Sequence, residues 1–426
     1  MKRLRRAIAL LLVLIALAAL WVAWRNHSGI AIRADAPLDA SPQAVARGAY
    51  LARAGNCMHC HTSAGNAAWA GGRELATPFG SVFTPNLTPH ADHGLGRWNA
   101  DQFWRAMHHG QSADGRLLYP VFPYTSYTRM TREDSDALFA YLRSLPAADL
   151  PNRASGLRWP YNQQAALAVW RALFFWPGSF EAKAQQSAAW NRGAYLVQGL
   201  GHCADCHAPR NAWGATERSA LMPGGIIPMQ NWYAPSLTDP AEAGVQRWPA
   251  ADVVALLKTG YAPQATVSGP MRDVVQHSTQ HLSDDDLRAM ATYLQALPVE
   301  QLPKRASAGP IDAGILARGA ATYNAQCMHC HGAQGQGVAG AYPALAGNRG
   351  VLMGEVANLV EQTLRGGFAP ATAANPRPFG MPPFMLTLSD QEVAEVLTHV
   401  RNSWGNQAPA VTELDVKRVR FGRAGP

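Results

Sequence analysis

Hydrophobic and polar positions repeat three times along the chain in the same order. Each repeat begins with a segment in which apolar residues recur at helical spacing, and this segment leads into a cysteine-bearing turn. The three lead-in segments contain Arg47, Arg192 and Arg318, each followed by glycine and alanine. The repetition predicts three small units of one kind.

Each repeat also closes with a second amphipathic segment. A Ser or Thr is followed three residues later by an acidic residue, which is the pattern of a helix capping box, and apolar residues then form one stripe. The capping residues are Thr131, Ser283 and Ser389. Pro146 and Pro298 follow the first two segments and are typical helix stops. We therefore predict a closing helix in each repeat.

The N-terminus has a different pattern. A basic run at 2–6 precedes the uncharged apolar stretch 7–24, which is close to the minimum length that spans a bilayer as a helix. A secretory signal has a shorter apolar core followed by an Ala-x-Ala site, whereas the triplet at 16–18 lies inside the stretch. Trp21 and Trp24 are placed as an interfacial belt. We expect an uncleaved anchor, with a cleaved signal peptide as the alternative, and either would export the remaining chain.

All six cysteines fall in one motif, Cys-x-x-Cys-His, which is the attachment signature of c-type haem. Two thiols add across the two vinyl groups of one haem, and the next residue is held under the iron as its proximal ligand. The three copies are Cys57-Met58-His59-Cys60-His61, Cys203-Ala204-Asp205-Cys206-His207 and Cys327-Met328-His329-Cys330-His331.

Other cysteine chemistries fit this pattern less well. A redox dithiol does not require the following histidine, and a zinc ribbon needs paired knuckles closer together. Disulfides are permitted in an exported chain but would leave the threefold repeat unexplained. The sequence therefore predicts three covalently bound haem c groups, with His61, His207 and His331 as iron ligands.

A proline-bearing loop lies between the haem motif and the closing helix of each repeat. These loops contain Pro85, Pro235 and Pro343. Our hypothesis is that each proline carbonyl accepts the Nδ1 proton of the proximal histidine, because such bonds orient metal-ligating imidazoles. The alternative is an ordinary turn.

The sixth iron ligand is expected shortly before the closing helix, and methionine is common there in cytochromes c. In the third repeat we predict Met381, with Met385 as the alternative. In the second repeat we predict Met271, with His277 and His281 as alternatives.

The first repeat departs from this pattern because Phe122 occupies the position where methionine is expected. The nearby sulfur is Met130, which we take as the predicted ligand. Met107, His108 and His109 lie further upstream and are alternatives, as is an open or water-ligated iron.

The linker 151–188 has an unusual composition. Its segment 165–176 is amphipathic and contains Trp170, Phe174 and Trp176. We interpret this segment as a clamp between the first two domains. The alternative is a docking face for a membrane or for another chain of a complex, because large apolar patches mark contacts.

Composition narrows the function further. The formal charge is +8, but four positive charges lie in the N-terminal run and the remainder are dispersed, so we expect no nucleic-acid binding. A length of 426 residues suits about three domains. We predict an all-α chain of three tandem class I cytochrome c domains at 40–150, 189–303 and 310–405, with an anchor or signal segment at 1–25, the linker 151–188 and a basic tail at 406–426.

With these motifs, the chain resembles the triheme cytochrome c subunits of membrane-bound, periplasm-facing bacterial dehydrogenases, such as the alcohol and gluconate dehydrogenase complexes. The likeness covers about 40–405 and rests on the haem motifs and the segments 84–88, 119–127 and 400–405. It implies a separate catalytic subunit, with a flavin or quinone cofactor, that oxidises an alcohol, polyol or aldonate. It also implies ubiquinone or a terminal oxidase as the electron acceptor.

Members of this family usually have methionine where this chain has Phe122. The Phe version is similar to cytochromes that accompany molybdenum hydroxylases, which widens the range of partners. The chain shows no catalytic triad or nucleotide loop, so we expect a non-catalytic electron-transfer subunit on the periplasmic side of the inner membrane. The alternatives are an independent carrier, an oxidase-linked subunit, and a peroxidase-like enzyme that uses an open haem in the first repeat.

Overall fold

The computed structural model describes residues 1–27, 37–217, 222–300 and 310–422. The chain is mostly helical and divides into two compact units. The first unit comprises Met1–Ala182 and Gln198–His202, and the second comprises Lys183–Val197 and Cys203–Pro426.

The helices of the first unit follow the predicted order, with capped helices on either side of the first haem motif. They are α1 Lys2–His27, α2 Pro42–Ala54, α3 Cys57–Cys60, α4 Ala100–His109, α5 Tyr124–Tyr127, α6 Arg132–Arg143 and α7 Gln164–Phe174. This unit also contains a small three-stranded antiparallel sheet that the sequence did not predict. Its strands are β1 Glu74–Thr77, β2 Gly80–Phe83 and β3 Gly156–Leu157, with Glu74 opposite Phe83 and Gly80 opposite Leu157.

The second unit contains the second and third haem motifs. Its helices are α8 Ala188–Tyr195, α9 Ala204–His207, α10 Ala250–Thr259, α11 Pro270–His277, α12 Asp284–Gln295, α13 Ala313–Gln326, α14 Met328–His331, α15 Arg349–Leu352, α16 Ala357–Arg365, α17 Asp390–Val400 and α18 Glu413–Arg420. Three antiparallel pairs accompany them: β4 Gly225–Ile226 with β5 Tyr233–Ala234, β6 Tyr261–Ala262 with β7 Ala265–Thr266, and β8 Gly367–Phe368 with β9 Gly380–Met381.

The predicted capping residues begin the closing helices α6, α12 and α17. The side chains of Thr131, Ser283 and Ser389 each accept a hydrogen bond from the backbone N–H three residues later, at 3.2 Å. Ser389 forms a complete capping box, because the Glu392 carboxylate also accepts from the Ser389 backbone N–H. The predicted starts of all three closing helices are therefore confirmed.

In each repeat the lead-in helix crosses the closing helix at a glycine. A Cβ atom built on this glycine would lie about 2 Å from a carbonyl oxygen of the closing helix. The pairs are Gly48 with Ala137 at 1.9 Å, Gly193 with Ala289 at 1.9 Å, and Gly319 with Glu395 at 2.2 Å. The two helices therefore pack backbone against backbone, an approach that only glycine permits.

An ion pair accompanies each crossing. The arginine before the glycine donates through Nε to a carboxylate of the closing helix, and that carboxylate is largely buried. The pairs are Arg47 with Asp134 at 2.7 Å, Arg192 with Asp286 at 2.7 Å, and Arg318 with Glu395 at 2.9 Å. Asp134 and Asp286 lie three residues after the capping residue of their helix, whereas Glu395 lies one turn further along. In the third closing helix the position three residues after the cap is Glu392, which is engaged in the capping box.

The Arg318–Glu395 pair predicts a pH-dependent stability. The hydrogen bond from Arg318 lowers the pKa of Glu395 below its usual 4.5. A carboxylate with a lowered folded-state pKa stabilises the fold above its unfolded pKa, and this stabilisation is lost as pH falls through the lowered value. We expect Arg318→Gln to lower a thermal midpoint by a few degrees at pH 7 and the difference from the parent to shrink as the pH falls below 4.5 and through the lowered pKa of Glu395.

The control for this prediction is Arg288→Gln. Arg288 pairs with Asp285 at 2.7 Å, but both side chains are mostly exposed, so little effect is expected at any pH. Calorimetry across the pH series would contradict the prediction if the Arg318→Gln difference stayed constant with pH.

Part of the predicted basic tail at 406–426 is a packed helix, which the sequence did not predict. Thr412 caps α18 together with Asp415, and Val416 and Val419 are buried against the core of the third repeat. Arg420 donates to Asp390 of α17 at 2.5 Å. The buried valines of this helix recur at helical spacing, but they lie among basic residues, so the apolar pattern is weak in the sequence.

The second and third repeats pack together within the second unit. The backbone N–H of Tyr233 donates to Asn358 Oδ1 at 2.8 Å, and Asn358 Nδ2 donates back to the Tyr233 carbonyl at 2.7 Å. Arg349 Nη1 donates to the carbonyls of Glu242 and Gly244 at 3.3 and 3.2 Å. These contacts explain why two of the three repeats form one compact unit.

The linker helix α7 packs against the end of α1 and against its own unit. Arg171 is 4% exposed and donates through Nε to Asn26 Oδ1 at 2.9 Å. Its Nη1 donates to the Gly110 carbonyl at 3.4 Å, and Asn26 Nδ2 donates to the Ala168 carbonyl at 3.0 Å. The interpretation of this segment as a clamp between two domains stays a prediction, because these contacts all lie within the first unit.

The buried position of Arg171 leads to a second stability prediction. Arg171→Leu would leave Asn26 Oδ1 and the Gly110 carbonyl without this donor, and buried acceptors that lose a partner cost about 1–3 kcal/mol. We expect the thermal midpoint of the detergent-solubilised protein to fall accordingly. Arg116→Leu is the control, because Arg116 is 59% exposed; equal losses in the two variants would contradict the prediction.

Candidate haem sites

The three haem motifs have the same local backbone geometry. In each, the backbone N–H of the histidine donates to the carbonyl of the first cysteine, which closes one helical turn. The donor and acceptor pairs are His61 with Cys57 at 3.0 Å, His207 with Cys203 at 2.9 Å, and His331 with Cys327 at 3.0 Å. This turn keeps the imidazole and both thiols on one short segment, as covalent attachment to a single porphyrin requires.

Each motif histidine is oriented by the carbonyl of a proline, as hypothesised. The Nδ1 atoms lie within hydrogen-bond distance of carbonyl oxygens, in the pairs His61 with Pro85 at 2.8 Å, His207 with Pro235 at 2.7 Å, and His331 with Pro343 at 3.0 Å. Because a carbonyl only accepts, Nδ1 carries the proton in each ring. The Nε2 lone pair is therefore left for a metal.

Burial keeps these imidazoles neutral. It lowers the pKa of His61 to about 4 and also lowers the pKa of His207 and His331, against the smaller opposing effect of the proline carbonyl. A neutral imidazole is the form that ligates iron. The site chemistry of the histidines thus fits haem ligation through Nε2.

The first cysteine of each motif is held as a neutral thiol. Burial raises the pKa of Cys57 and Cys203 to about 12 and that of Cys327 to about 11. None of the six cysteines forms a disulfide. Within the four described ranges, no cluster of three or more His, Cys, Asp or Glu side chains could hold a bare metal ion. Paired thiols beside a free imidazole nitrogen suit covalent haem better than a zinc site.

Two arginines that the sequence analysis overlooked brace the first two motifs. Arg73 Nη1 donates to the carbonyl of His59 at 2.7 Å, and Arg210 Nη2 donates to the carbonyl of Asp205 at 2.7 Å. Both acceptors occupy the position just before the second cysteine. The sequence signal that could have identified them is an arginine in the loop after each of these two motifs.

In the third repeat the structure brings Met381 and the haem motif to one core. Met381 lies on β9, and it packs, like Cys327 and Met385, against the buried cluster of α16 and α17. Gln362 Nε2 lies 3.9 Å from the Met381 sulfur. Both candidate sulfurs, Met381 and Met385, are therefore near the motif, and ligation by Met381 stays a prediction.

In the second repeat Met271 is partly buried at the start of α11. The alternative His277 ends α11, and His281 lies in the short 3₁₀ helix Thr279–His281. Met271 precedes the closing helix α12, as its prediction requires, and its role as a ligand stays a prediction.

In the first repeat Met130 is fully buried close to the turn that approaches the motif. Its backbone N–H donates to the Tyr127 carbonyl at 2.9 Å, and the Tyr127 hydroxyl donates to the Gly55 carbonyl at 3.3 Å, two residues before Cys57. The Phe122 ring lies 5.5 Å from the Tyr127 ring. Met130 as the sixth ligand stays a prediction.

The upstream alternatives in the first repeat lie on α4. Met107, His108 and His109 are all buried there. Burial lowers the pKa of both histidines to about 4, and His108 forms a hydrogen bond to the backbone of Thr128. One ring nitrogen of His108 is therefore engaged, whereas its buried Nδ1 has no hydrogen-bond partner in the part of the chain that the structure describes.

Comparisons with known proteins identify the family of the chain. The family described as cytochrome c matches residues 45–146 and 316–404, which include the first and third motifs. The chain is 37% identical over 402 residues to the cytochrome c subunit of a quinone-type alcohol dehydrogenase from Gluconobacter oxydans, covering 90% of this chain and 83% of that one.

Two further relatives carry different dehydrogenase names. The gluconate 2-dehydrogenase cytochrome c subunit of Pantoea cypripedii is 36% identical over 401 residues, with 88% of this chain and 89% of that one covered. A nicotinate dehydrogenase subunit of Pseudomonas putida is 38% identical over 386 residues, which cover 89% of this chain but only 32% of that one. The chain therefore belongs to the cytochrome c subunit family of alcohol and gluconate dehydrogenases, whose members carry covalently bound haem c.

Proposed function

We propose that this chain is the triheme electron-transfer subunit of a dehydrogenase complex. It accepts electrons from a separate catalytic subunit and passes them to ubiquinone or a terminal oxidase. The observation that carries the proposal is the threefold site geometry, in which His61, His207 and His331 each donate through Nδ1 to a proline carbonyl and share one helical turn with a pair of cysteines. Haem c supplies reversible one-electron chemistry when it is bound.

The residues of the chain supply attachment, orientation and burial. We propose three haem c groups, held by the cysteine pairs Cys57 and Cys60, Cys203 and Cys206, and Cys327 and Cys330. The proline carbonyls fix the imidazoles, and Met381, Met271 and Met130 are the proposed sixth ligands. The three cytochrome c domains are 40–150, 189–303 and 310–422, the last extended from the predicted 405 because α18 packs on it.

The names of the relatives support a dehydrogenase as the partner. They include subunits of alcohol and gluconate dehydrogenases, which favour an alcohol, polyol, aldonate or similar compound as the donor. The catalytic subunit would carry a flavin, quinone or molybdenum cofactor. Helix α1 is long and apolar enough to cross a membrane, and its basic start favours a cytoplasmic N-terminus with the haem domains in the periplasm.

Purification from membranes in mild detergent tests this function. We expect a dehydrogenase subunit to co-purify at a fixed ratio, and we expect one of a panel of alcohols, polyols and aldonates to reduce the haems. Reduction is followed at the α band of the reduced haems. The proposal fails if no oxidoreductase co-purifies and the haems respond only to a chemical reductant.

Because Phe122 occupies the position where a ligating methionine is expected, the second candidate function is a peroxidase-like reaction at the first haem. A high-spin haem that binds carbon monoxide in the reduced protein would favour that enzyme. Three low-spin haems that do not bind carbon monoxide favour electron transfer alone.

A further inference from the structure

The outward face of α7 is apolar although it lies at the protein surface. Val169 and Leu173 lie one turn apart on α7 and are 42% and 41% exposed, and Trp176, two residues beyond the end of the helix, is 48% exposed. Arg171, the sole charged residue of α7, points inward and is buried. A surface helix in water has the opposite arrangement, with charges outward and apolar residues inward. This face therefore favours contact with an apolar surface over contact with water.

The end of α1 fixes where this face lies. Arg25 Nη2 donates to the Phe175 carbonyl at 2.7 Å, and Asn26 Nδ2 donates to the Ala168 carbonyl at 3.0 Å. Trp24 at the same end of α1 is 62% exposed. Tryptophan and arginine at the end of a spanning helix mark the headgroup level of a bilayer. Ala168 and Phe175 are bound to these residues and so lie at that level too.

We propose that α7 lies in the membrane interface at the C-terminal end of α1, with Val169, Leu173 and Trp176 in contact with lipid. The apolar window of α1 has no protein cover in the described structure, so lipid already surrounds the helix that α7 joins. Arg25 also lies over the Trp176 ring, 5.1 Å from its centre. A charged head beside an aromatic ring is the usual combination at a membrane–water boundary.

The same contacts require that α1 stays attached. Asn26 is 7% exposed and accepts from buried Arg171. Removal of α1 would leave this buried guanidinium without its Asn26 partner and would expose the surface of α7 that α1 covers. Two contacts with the membrane, α1 across it and α7 along it, would hold the first unit at a fixed tilt, which a single tether does not do.

Nitroxide labels on the full-length protein in nanodiscs of phosphatidylethanolamine and phosphatidylglycerol test this placement. Val169→Cys and Leu173→Cys place labels on the proposed lipid face, and Ala91→Cys places one at an exposed position elsewhere in the first unit. The haems are kept oxidised, because oxygen would oxidise ferrous iron, and a nitrogen-equilibrated sample gives the relaxation that the ferric haems themselves cause. Power saturation then compares collisions with oxygen, which enriches in lipid, and with a water-soluble nickel chelate.

We expect oxygen collisions to exceed nickel collisions several-fold at 169 and 173 and the reverse at 91. Nickel access at 169 and 173 equal to that at 91 would overturn the proposal, because the face would then be in water. Exclusion of both reagents would also overturn it, because a protein partner or second copy would then cover the face. A mature polypeptide mass that lacks residues 1–27 would overturn the retention of α1. An unchanged haem absorption spectrum shows that each labelled variant is folded.

Discussion

Replacing Gly48 by alanine is expected to destabilise the first unit by about 3 kcal/mol, at the upper end of the usual cost of overpacking. The added methyl group would lie 1.9 Å from the carbonyl oxygen of Ala137 and 2.7 Å from Cβ of Tyr141. Neither atom can turn away, because one belongs to the backbone and the other is fixed to it. The helices α2 and α6 would have to separate, which would also loosen the Arg47–Asp134 pair.

The steric cost must also outweigh a favourable effect, because alanine is intrinsically better than glycine inside a helix by about 1 kcal/mol. Calorimetry of the detergent-solubilised protein measures the net loss, and for a unit of this size about 3 kcal/mol corresponds to a fall of roughly 6–12 °C in one transition. Gly178→Ala is the matched control in the same unit, since a Cβ there has no heavy atom within 4 Å. Equal midpoints for the two variants would show that the crossing is not tightly packed.

Replacing His331 by alanine is expected to remove about one third of the low-spin haem absorbance, because one of three irons loses its proximal ligand. The result is the same whether the haem stays attached in a high-spin state or fails to attach. Electron transfer from the donor should fall as well if the third haem lies on the route. The measurement is the α-band intensity of the reduced protein per polypeptide.

His329 offers a control inside the same motif. It lies two residues before His331 on α14, between the two cysteines, and the haem motif does not specify a residue type there. We expect His329→Ala to retain all the low-spin absorbance. The assignment of the proximal ligand would be wrong if His331→Ala kept the full α band or if His329→Ala lost as much.

The features that the sequence predicted are decided locally. A helix cap depends on one turn of chain, so Thr131, Ser283 and Ser389 could be identified from their spacing to an acid. The haem motif is likewise a single turn. The proline contacts span longer loops, yet Pro85 and Pro235 were found because the same residue recurs at a similar place in each repeat.

The features that the sequence did not predict depend on distant partners. The arginine of each lead-in helix was visible, but its carboxylate partner lies 77 to 94 residues away along the chain. The packing of α18 was missed because basic residues alternate with its buried valines. Likewise, the inward position of Arg171 cannot be seen without the end of α1 that it contacts.

The sixth iron ligand is also predicted only in part from the sequence. Met381 precedes its closing helix in the way that the cytochrome pattern predicts, and the structure places it on the same core as Cys327. Phe122 breaks the pattern in the first repeat, so Met130 had to be chosen by proximity in sequence. Its complete burial suits packing as well as ligation, and burial therefore does not decide between them.

The most direct test of the account is the intact mass of the mature protein, purified from cells that export and mature c-type cytochromes. We predict the polypeptide mass plus three haems, retained after denaturation because thioether bonds hold them. A mass with fewer haems, above all a peptide in which Cys203 and Cys206 remain free thiols, would contradict the claim that all three motifs carry haem.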